Sequence, residues 1–212
     1  MSKIETNTID TISGSATMQI GSTNTSTINI GVSGDTVNIP SGVTLANAGT
    51  ATGFGKIAQV LQTVKTDTFS TTSTSDFDIT GMSVAITPSA SNSKILVLAN
   101  LNSSASVYSQ SAWISIVRDS TQIYRGDADG NRRRATWGYE DAGSNEDEQK
   151  FTTHLMSFQF LDTPSTTSQV TYKLTGIKDN QGTFYVNRTA ADGNTDAYGR
   201  VPSSITVMEV LA

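Results

Sequence analysis

Residues 112–125 read AWISIVRDSTQIYR. The first seven alternate: Trp113, Ser115 and Val117 share one face of an extended strand, Ile114 and Ile116 the other. Thr121–Arg125 is expected to pair with this strand across Asp119-Ser120, a two-residue turn with hairpin chemistry. Working outward, Lys94–Leu101 (KILVLANL) is an almost unbroken apolar run, as expected of a strand buried on both faces. Before it, Phe77, Ile79, Met82, Val84 and Ile86 form a strand pattern broken by Gly81 and stopped by Pro88. After it, Thr152–Leu161 sets Leu155, Ser157, Gln159 and Leu161 against Met156, Phe158 and Phe160. Val170–Ile177 and Thr183–Asn187 flank a turn at 178–182, and Ser204–Val210 comes last. Residues 57–65 (IAQVLQTVK) read as a strand, although Ile57, Val60, Leu61 and Val64 also fit helical spacing. The result is nine or ten short strands and an all-β head over 56–212. It is expected to be an antiparallel β-sandwich of jelly-roll type.

Residues 1–55 are of a different kind. Between 11 and 55 the only charged side chain is Asp35, and the chain is Ser, Thr, Asn and Gly with isolated aliphatics. Those aliphatics recur: Met18-x-Ile20-Gly21, Ile28-x-Ile30-Gly31, Val37-x-Ile39-Pro40, then Val43-x-Leu45. Each pair puts apolar groups on one face of an extended segment, and Gly or Pro then turns the chain. A repeat of roughly nine or ten residues suggests stacked β structure. One copy has too few apolar atoms to form a core, so identical chains around an axis are the simplest partners. The expected shaft core is Ile20, Ile28, Ile30, Val37, Ile39 and Leu45. Its lack of charge fits such an axis, because each axial charge would be repeated and desolvated with its copies. Residues 46–55 read as a Gly-rich linker and residues 1–12 as a docking peptide or a frayed tail.

Composition narrows the function classes. Charged residues make up 16% of the chain, against roughly 25% in average soluble proteins, and the net charge is −5. Such a chain is a poor nucleic-acid binder. Cysteine is absent, which excludes disulfides and thiolate metal sites and suits assembly in a reducing cell. MSKIETNTID shows no apolar signal region, and no run is long enough for a membrane helix, so no membrane insertion is expected.

The opening SKIETNTIDTISGSATMQIG and the run TINIGVSGDTVNIPSGVTL resemble tail-fibre and short-fibre proteins of tailed bacteriophages, especially those of marine and cyanobacterial hosts. The motifs cover about the first 50 residues. The resemblance implies a homotrimer with an N-terminal trimeric β-shaft and a C-terminal sandwich head. It further implies assembly in the host cytoplasm, a tail-appendage location on the virion, and attachment to other tail proteins through the N-terminus. The external partner implied is a host-surface glycan or outer-membrane component. A viral head-fibre or capsid decoration protein is the alternative, and a polysaccharide-degrading spike a third reading that would need a carboxylate pair in a groove.

Chemistry-bearing motifs are sparse. GFGK at 53–56 lacks the first Gly and the Ser/Thr of a phosphate loop and reads as linker. His154 is the only histidine, with no Cys to share a metal and no nucleophile elbow, so a structural role is expected and catalysis is not. Asp127-Ala-Asp129-Gly-Asn131 resembles the start of a calcium loop, but Thr136 stands where the closing Glu belongs. Asp192-Gly-Asn194-Thr-Asp196 is a second donor-rich turn of that kind. No cofactor is expected. The three glycosylation sequons, at Asn24, Asn102 and Asn187, are chance matches in a Ser/Thr-rich chain.

The most polarised stretch is 126–150, with Arg132, Arg133 and Arg134, then Trp137 and Tyr139, then an acidic run at 146–148. Arginine beside aromatic rings suits sugar recognition: guanidinium forks bind carboxylate or sulfate while rings stack on sugar faces. Receptor contact is therefore assigned to Arg132, Arg133, Arg134, Trp137 and Tyr139, with help from Arg188, Tyr198 and Arg200. Charge pairing between neighbouring chains is the competing role.

Overall fold

The computed structural model describes residues 20, 27–30, 33–44, 56–107, 110–140, 151–179 and 182–211. Two units are distinct, Met1–Thr52 and Gly53–Ala212. Among the described residues of the second, eleven strands form: β1 (Ile57–Lys65), β2 (Phe69–Thr71), β3 (Phe77–Ile86), β4 (Lys94–Ala105), β5 (Ser111–Arg118), β6 (Thr121–Ile123), β7 (Trp137–Glu140), β8 (His154–Asp162), β9 (Val170–Lys178), β10 (Phe184–Val186) and β11 (Ser203–Val210). No helix occurs among the described residues, and the helical alternative for 57–65 gives way to β1. The strand wins because antiparallel pairing with β11 sets Leu61 beside Val207 and Thr63 beside Ile205 on the core side.

The pairing is nested around the 112–125 hairpin. β5 pairs with β6 across Asp119-Ser120, β4 with β8, β3 with β9 and β1 with β11, all antiparallel. One long hairpin is thus rolled into two sheets, the jelly-roll topology. The six-stranded sheet has β8 on one edge of β4 and β11 then β10 on the other, with β1 and β2 beyond them. The five-stranded sheet runs β3-β9-β5, with β7 and β6 sharing the outer edge of β5. Asp119 supplies the positive φ, 54°, that a tight two-residue turn requires. β6 stops at Ile123 because Tyr124 also turns left-handed, at φ 48°.

The core lies between the sheets. Ile95, Val97, Ala99 and Leu101 of β4 belong with Ile114 and Ile116 of β5 and with Tyr172 and Leu174 of β9 to one buried cluster. The expectation that 94–101 is buried on both faces fails: Leu96 and Leu98 are only half-buried, on the outer side, beside Met208, Leu161 and Thr206. The break expected at Gly81 is a register shift between Asp78 and Ser83, with Gly81 at φ 83°, and β3 continues through it to Ile86.

Three buried polar clusters tie the sandwich. Asp162 of β8 accepts hydrogen bonds from Tyr172 of β9 (2.6 Å) and Arg118 of β5 (2.7 Å), linking the sheets. Burial, then the hydrogen bond to Asp162, pushes the Tyr172 phenol up, so it stays protonated and donating. Asn187, fully buried at φ 64°, donates from its amide to the carbonyls of Lys65 and Asp67 and accepts from Ser203. Glu209, also fully buried, accepts from the Ser89 backbone and hydroxyl and from Gln59, each at 2.6 Å.

In the first unit the described residues contain no strand. The chain turns at Gly34 (φ 98°) and at Pro40–Val43, where the Val43 N–H donates to the Pro40 carbonyl at 3.2 Å and Gly42 takes φ 85°. Pro40 turns the chain where expected; the expected turns at Gly21 and Gly31 lie outside the described residues, and the turn at Gly34 was not foreseen. Ile20, Ile28, Ile30, Val37 and Ile39 are all exposed, Ile30 by 70%. Residues 1–12, Leu45 and the whole linker at 46–55 lie outside the described residues.

Candidate functional site

The outer face of the five-stranded sheet carries the site. Alternation along β5 turns Trp113, Ser115 and Val117, read from the sequence as one face, away from the core. Register then sets Trp113 beside Ile177 and Ser115 beside Thr175 of β9. The 124–136 loop rises over this face. Its base is closed by Thr136, whose hydroxyl accepts from the Ile116 N–H (3.1 Å) and donates to the Tyr124 carbonyl (2.9 Å). The Tyr124 ring stacks on Phe160 of β8 with centroids 4.8 Å apart, anchoring the loop root on the other sheet. Higher up, the Gly126 N–H donates to the Ala135 carbonyl, and Arg134 Nε donates back to the Gly126 carbonyl at 2.7 Å. Asp129 accepts from the Arg132 guanidinium and closes the tip.

Arg133 is left to lie over the Trp113 indole, its guanidinium carbon 5.1 Å from the ring centroid. Such a contact is worth about 0.5–1 kcal/mol at an exposed site. On either side lie two shallow clefts. One, of about 340 Å³, is lined by Asp76, Trp113, Gln122, Thr175 and the guanidinium-bearing residues Arg125 and Arg132–Arg134. The other, of about 440 Å³, runs along Trp113, Arg133 and strand β7. Gly138 of β7 makes room for the indole: a Cβ there would stand 2.5 Å from Trp113 Cδ1.

Arg132, Arg133 and Arg134 are thus brought together as expected. Trp137 and Tyr139 share the second cleft with Arg133, but their rings are not displayed beside the triplet. Both are half-buried and pack on the core, with centroids 5.2 Å apart, and Tyr139 lies 4.9 Å from the His154 ring. The reason is that 137–140 is a strand paired to β5, so alternation around Gly138 sends both rings inward. The indole that meets the arginines is Trp113. Its signal was available: a large aromatic on the outward face of a strand. Arg125, Gln122 and Asp76 were also overlooked, being separated in sequence from the arginine triplet.

The second expected loop is closed on itself. Asp192 accepts from Arg200 (2.5 and 2.6 Å) and forms an ion pair with Arg188 (3.2 Å). Arg188 further donates to the carbonyls of Thr189 and Ala190 and lies over the Tyr185 ring at 4.3 Å. Tyr198 stacks on Phe151. Arg188, Tyr198 and Arg200 line neither cleft. Among the described residues no group of three His, Asp or Glu is placed to hold a metal ion, and Asp129 and Asp192 are both engaged by guanidinium groups. The acidic run at 146–148, the proposed pairing partner of the triplet, lies outside the described residues.

No family model and no curated protein matches the chain. Among solved structures it is similar to the VP2 protein of infectious bursal disease virus. A point mutant of that protein in T=1 particles is 16% identical, with a TM-score of 0.36 over 73% of this chain and 36% of that one. The VP2 subviral particle is 15% identical, with a TM-score of 0.36 over 72% and 41%. The chain therefore spans less than half the length of these proteins. The fold assignment rests on the strand pairing described above.

Proposed function

We propose that this protein is a non-enzymatic structural and adhesion component of a phage virion: a homotrimeric tail fibre whose sandwich head contacts the host surface. The observation that carries the reading is the charge-poor repeat, whose aliphatics are exposed in a single chain. Ile20, Ile30, Val37 and Val43 each keep more than half their surface in water. Repeated apolar groups left uncovered along 20–43 call for copies of the same segment, and a symmetric bundle supplies them. The resemblance of the first 50 residues to phage fibres supports three copies and attachment to tail proteins by the N-terminus. The head supplies an exposed arginine–tryptophan face, suited to a host glycan held by three weak contacts acting together.

Light scattering on the full chain is expected to give three times the 22.4 kDa chain mass. Ile39→Asp should break the assembly, because a carboxylate in the shared core would be desolvated with its copies, while Asp35→Asn should leave it intact. A full-length monomer at micromolar concentration, or trimers unaffected by Ile39→Asp, defeats the reading. Labelling of the protein on its parent particle separates tail from head: signal over the capsid would make it a decoration protein instead.

A further inference from the structure

The cleft beneath the 124–136 loop holds unused charge. Of its four guanidinium groups, Arg132 is neutralised by Asp129 and Arg134 is bonded to the Gly126 carbonyl. Arg125 and Arg133 have no ion pair or hydrogen bond among the described residues; Arg133 meets only the indole face. Asp76 is the one carboxylate on the lining among the described residues. In a chain of net charge −5, this is a local excess of positive charge with two donor forks open to solvent.

We infer that this cleft binds a sugar carrying a carboxylate or sulfate group, with Arg125 and Arg133 on the anion and Trp113 as the apolar wall that orients Arg133. The inference deepens the adhesion reading and rests on it. Contact with the Trp113 face restrains Arg133 while its N–H donors have no partner among the described residues, which favours bidentate recognition of a planar carboxylate. The floor is hydroxylic and amidic: Ser115, Thr175 and Gln122 supply donors and acceptors for ring hydroxyls, and Asp76 can only accept from them. About 340 Å³ lies at the low end of ligand pockets and suits one or two sugar units. An extended polyphosphate fits worse. The same sheet face continues into a cleft lined by Asp76, Asp78 and Asp119, where the one lining cation among the described residues, Lys173, is already bonded to Asp78 at 2.8 Å. A nucleic-acid backbone tracked along the sheet would run from arginines into these carboxylates.

The test uses the full-length protein and two matched probe pairs: a tetragalacturonate against its methyl ester, and a sulfated galactan oligomer against its desulfated form. Calorimetry should show at least one charged member binding about tenfold or more tightly than its neutral twin. The pair that discriminates says whether carboxylate or sulfate is the source. Binding should weaken with salt. Arg125→Gln with Arg133→Gln, both exposed loop changes, should remove that tenfold preference without altering the melting temperature. Trp113→Phe should weaken the charged member several-fold while keeping the preference. Equal binding of charged and neutral forms, no binding of any of the four, retained preference in the double glutamine variant, or tighter binding of a dT oligonucleotide each overturns the inference. Host-cell adsorption separates the two claims. If the double variant loses acidic-sugar binding yet still adsorbs to cells, this cleft is not the adhesive surface, but adhesion stands. If wild-type protein binds acidic sugar but no host cell, the adhesion reading falls and the cleft assignment remains.

Discussion

Replacing Glu209 with Gln tests whether one buried charge holds the β3–β4 connection against the six-stranded sheet. Glu209 lies on the core side of β11, fully buried, between Ile95 of β4 and Gln59 of β1. Its carboxylate accepts the Ser89 N–H and hydroxyl through one oxygen and Gln59 through the other. Burial alone would raise this carboxyl, but the Ser89 and Gln59 hydrogen bonds outweigh it and hold it at about 2, against an ordinary 4.5. That difference corresponds to about 3 kcal/mol of folding free energy carried by the ionised form. The contribution is fully present above pH 4.5. It is lost as pH falls toward 2, because the unfolded chain takes up the proton first. Glu209→Gln keeps the shape but turns an amide toward a donor. At pH 7 the variant should melt about 6–12 °C below wild type, at about 2–4 °C per kcal/mol for a chain of this size. Scanning calorimetry from pH 7 to pH 2.5 should show the gap closing over the acid limb, while other carboxylates titrate equally in both proteins. A gap below about 2 °C at pH 7, or one that persists unchanged at pH 2.5, would refute the argument.

Two further substitutions probe packing and the loop junction. Gly138→Val places a Cβ 2.5 Å from Trp113 Cδ1 and must displace the indole; it should cost about 1–3 kcal/mol and shift Trp fluorescence, and an unchanged spectrum would contradict the placement of Trp113. Asn187→Ala removes the amide that serves the Lys65 and Asp67 carbonyls and leaves Ala at φ 64°, for a loss of about 2–4 kcal/mol by denaturant titration. Asn187→Gly, free of the backbone cost, should recover about 1 kcal/mol of it, and a glycine variant no better than alanine counts against the strain component.

Much of the sandwich was readable because its strands obey simple alternation. The 112–118 strand, the Asp119-Ser120 turn, the grouping of Met156, Phe158 and Phe160 on one face and the strand at 204–210 all follow from period-two patterning. Errors arose where local pattern and tertiary partner disagree. KILVLANL is continuous in hydrophobicity, yet only alternate residues reach the core, because the neighbouring strands also present aliphatics on the outer side. Trp137 and Tyr139 follow three arginines and so read as loop. Only the ladder to β5, a contact between residues about 25 apart, turns them inward. Glu209 broke alternation in the opposite sense, as a charge on the buried face of SITVMEV. Its partners, Ser89 and Gln59, are 120 and 150 residues away and leave no local trace.

The two arginine-bearing loops show why composition alone could not locate the site. Both combine arginine with aromatic rings, and both were assigned the same role. In the 188–200 loop two arginines face Asp192, which lies four residues after Arg188 and eight before Arg200, so a single carboxylate reaches both. In 125–134 there are four arginines and two aspartates, and Asp129 is committed to Arg132 by the turn at the loop tip. Carboxylates within the loop therefore cannot neutralise it. The surplus falls on Arg125 and Arg133, and Arg133 is oriented by an indole that belongs to the strand below. Counting which charges a loop can satisfy internally, rather than how many it carries, separates a self-locked loop from one with charge left to offer a partner.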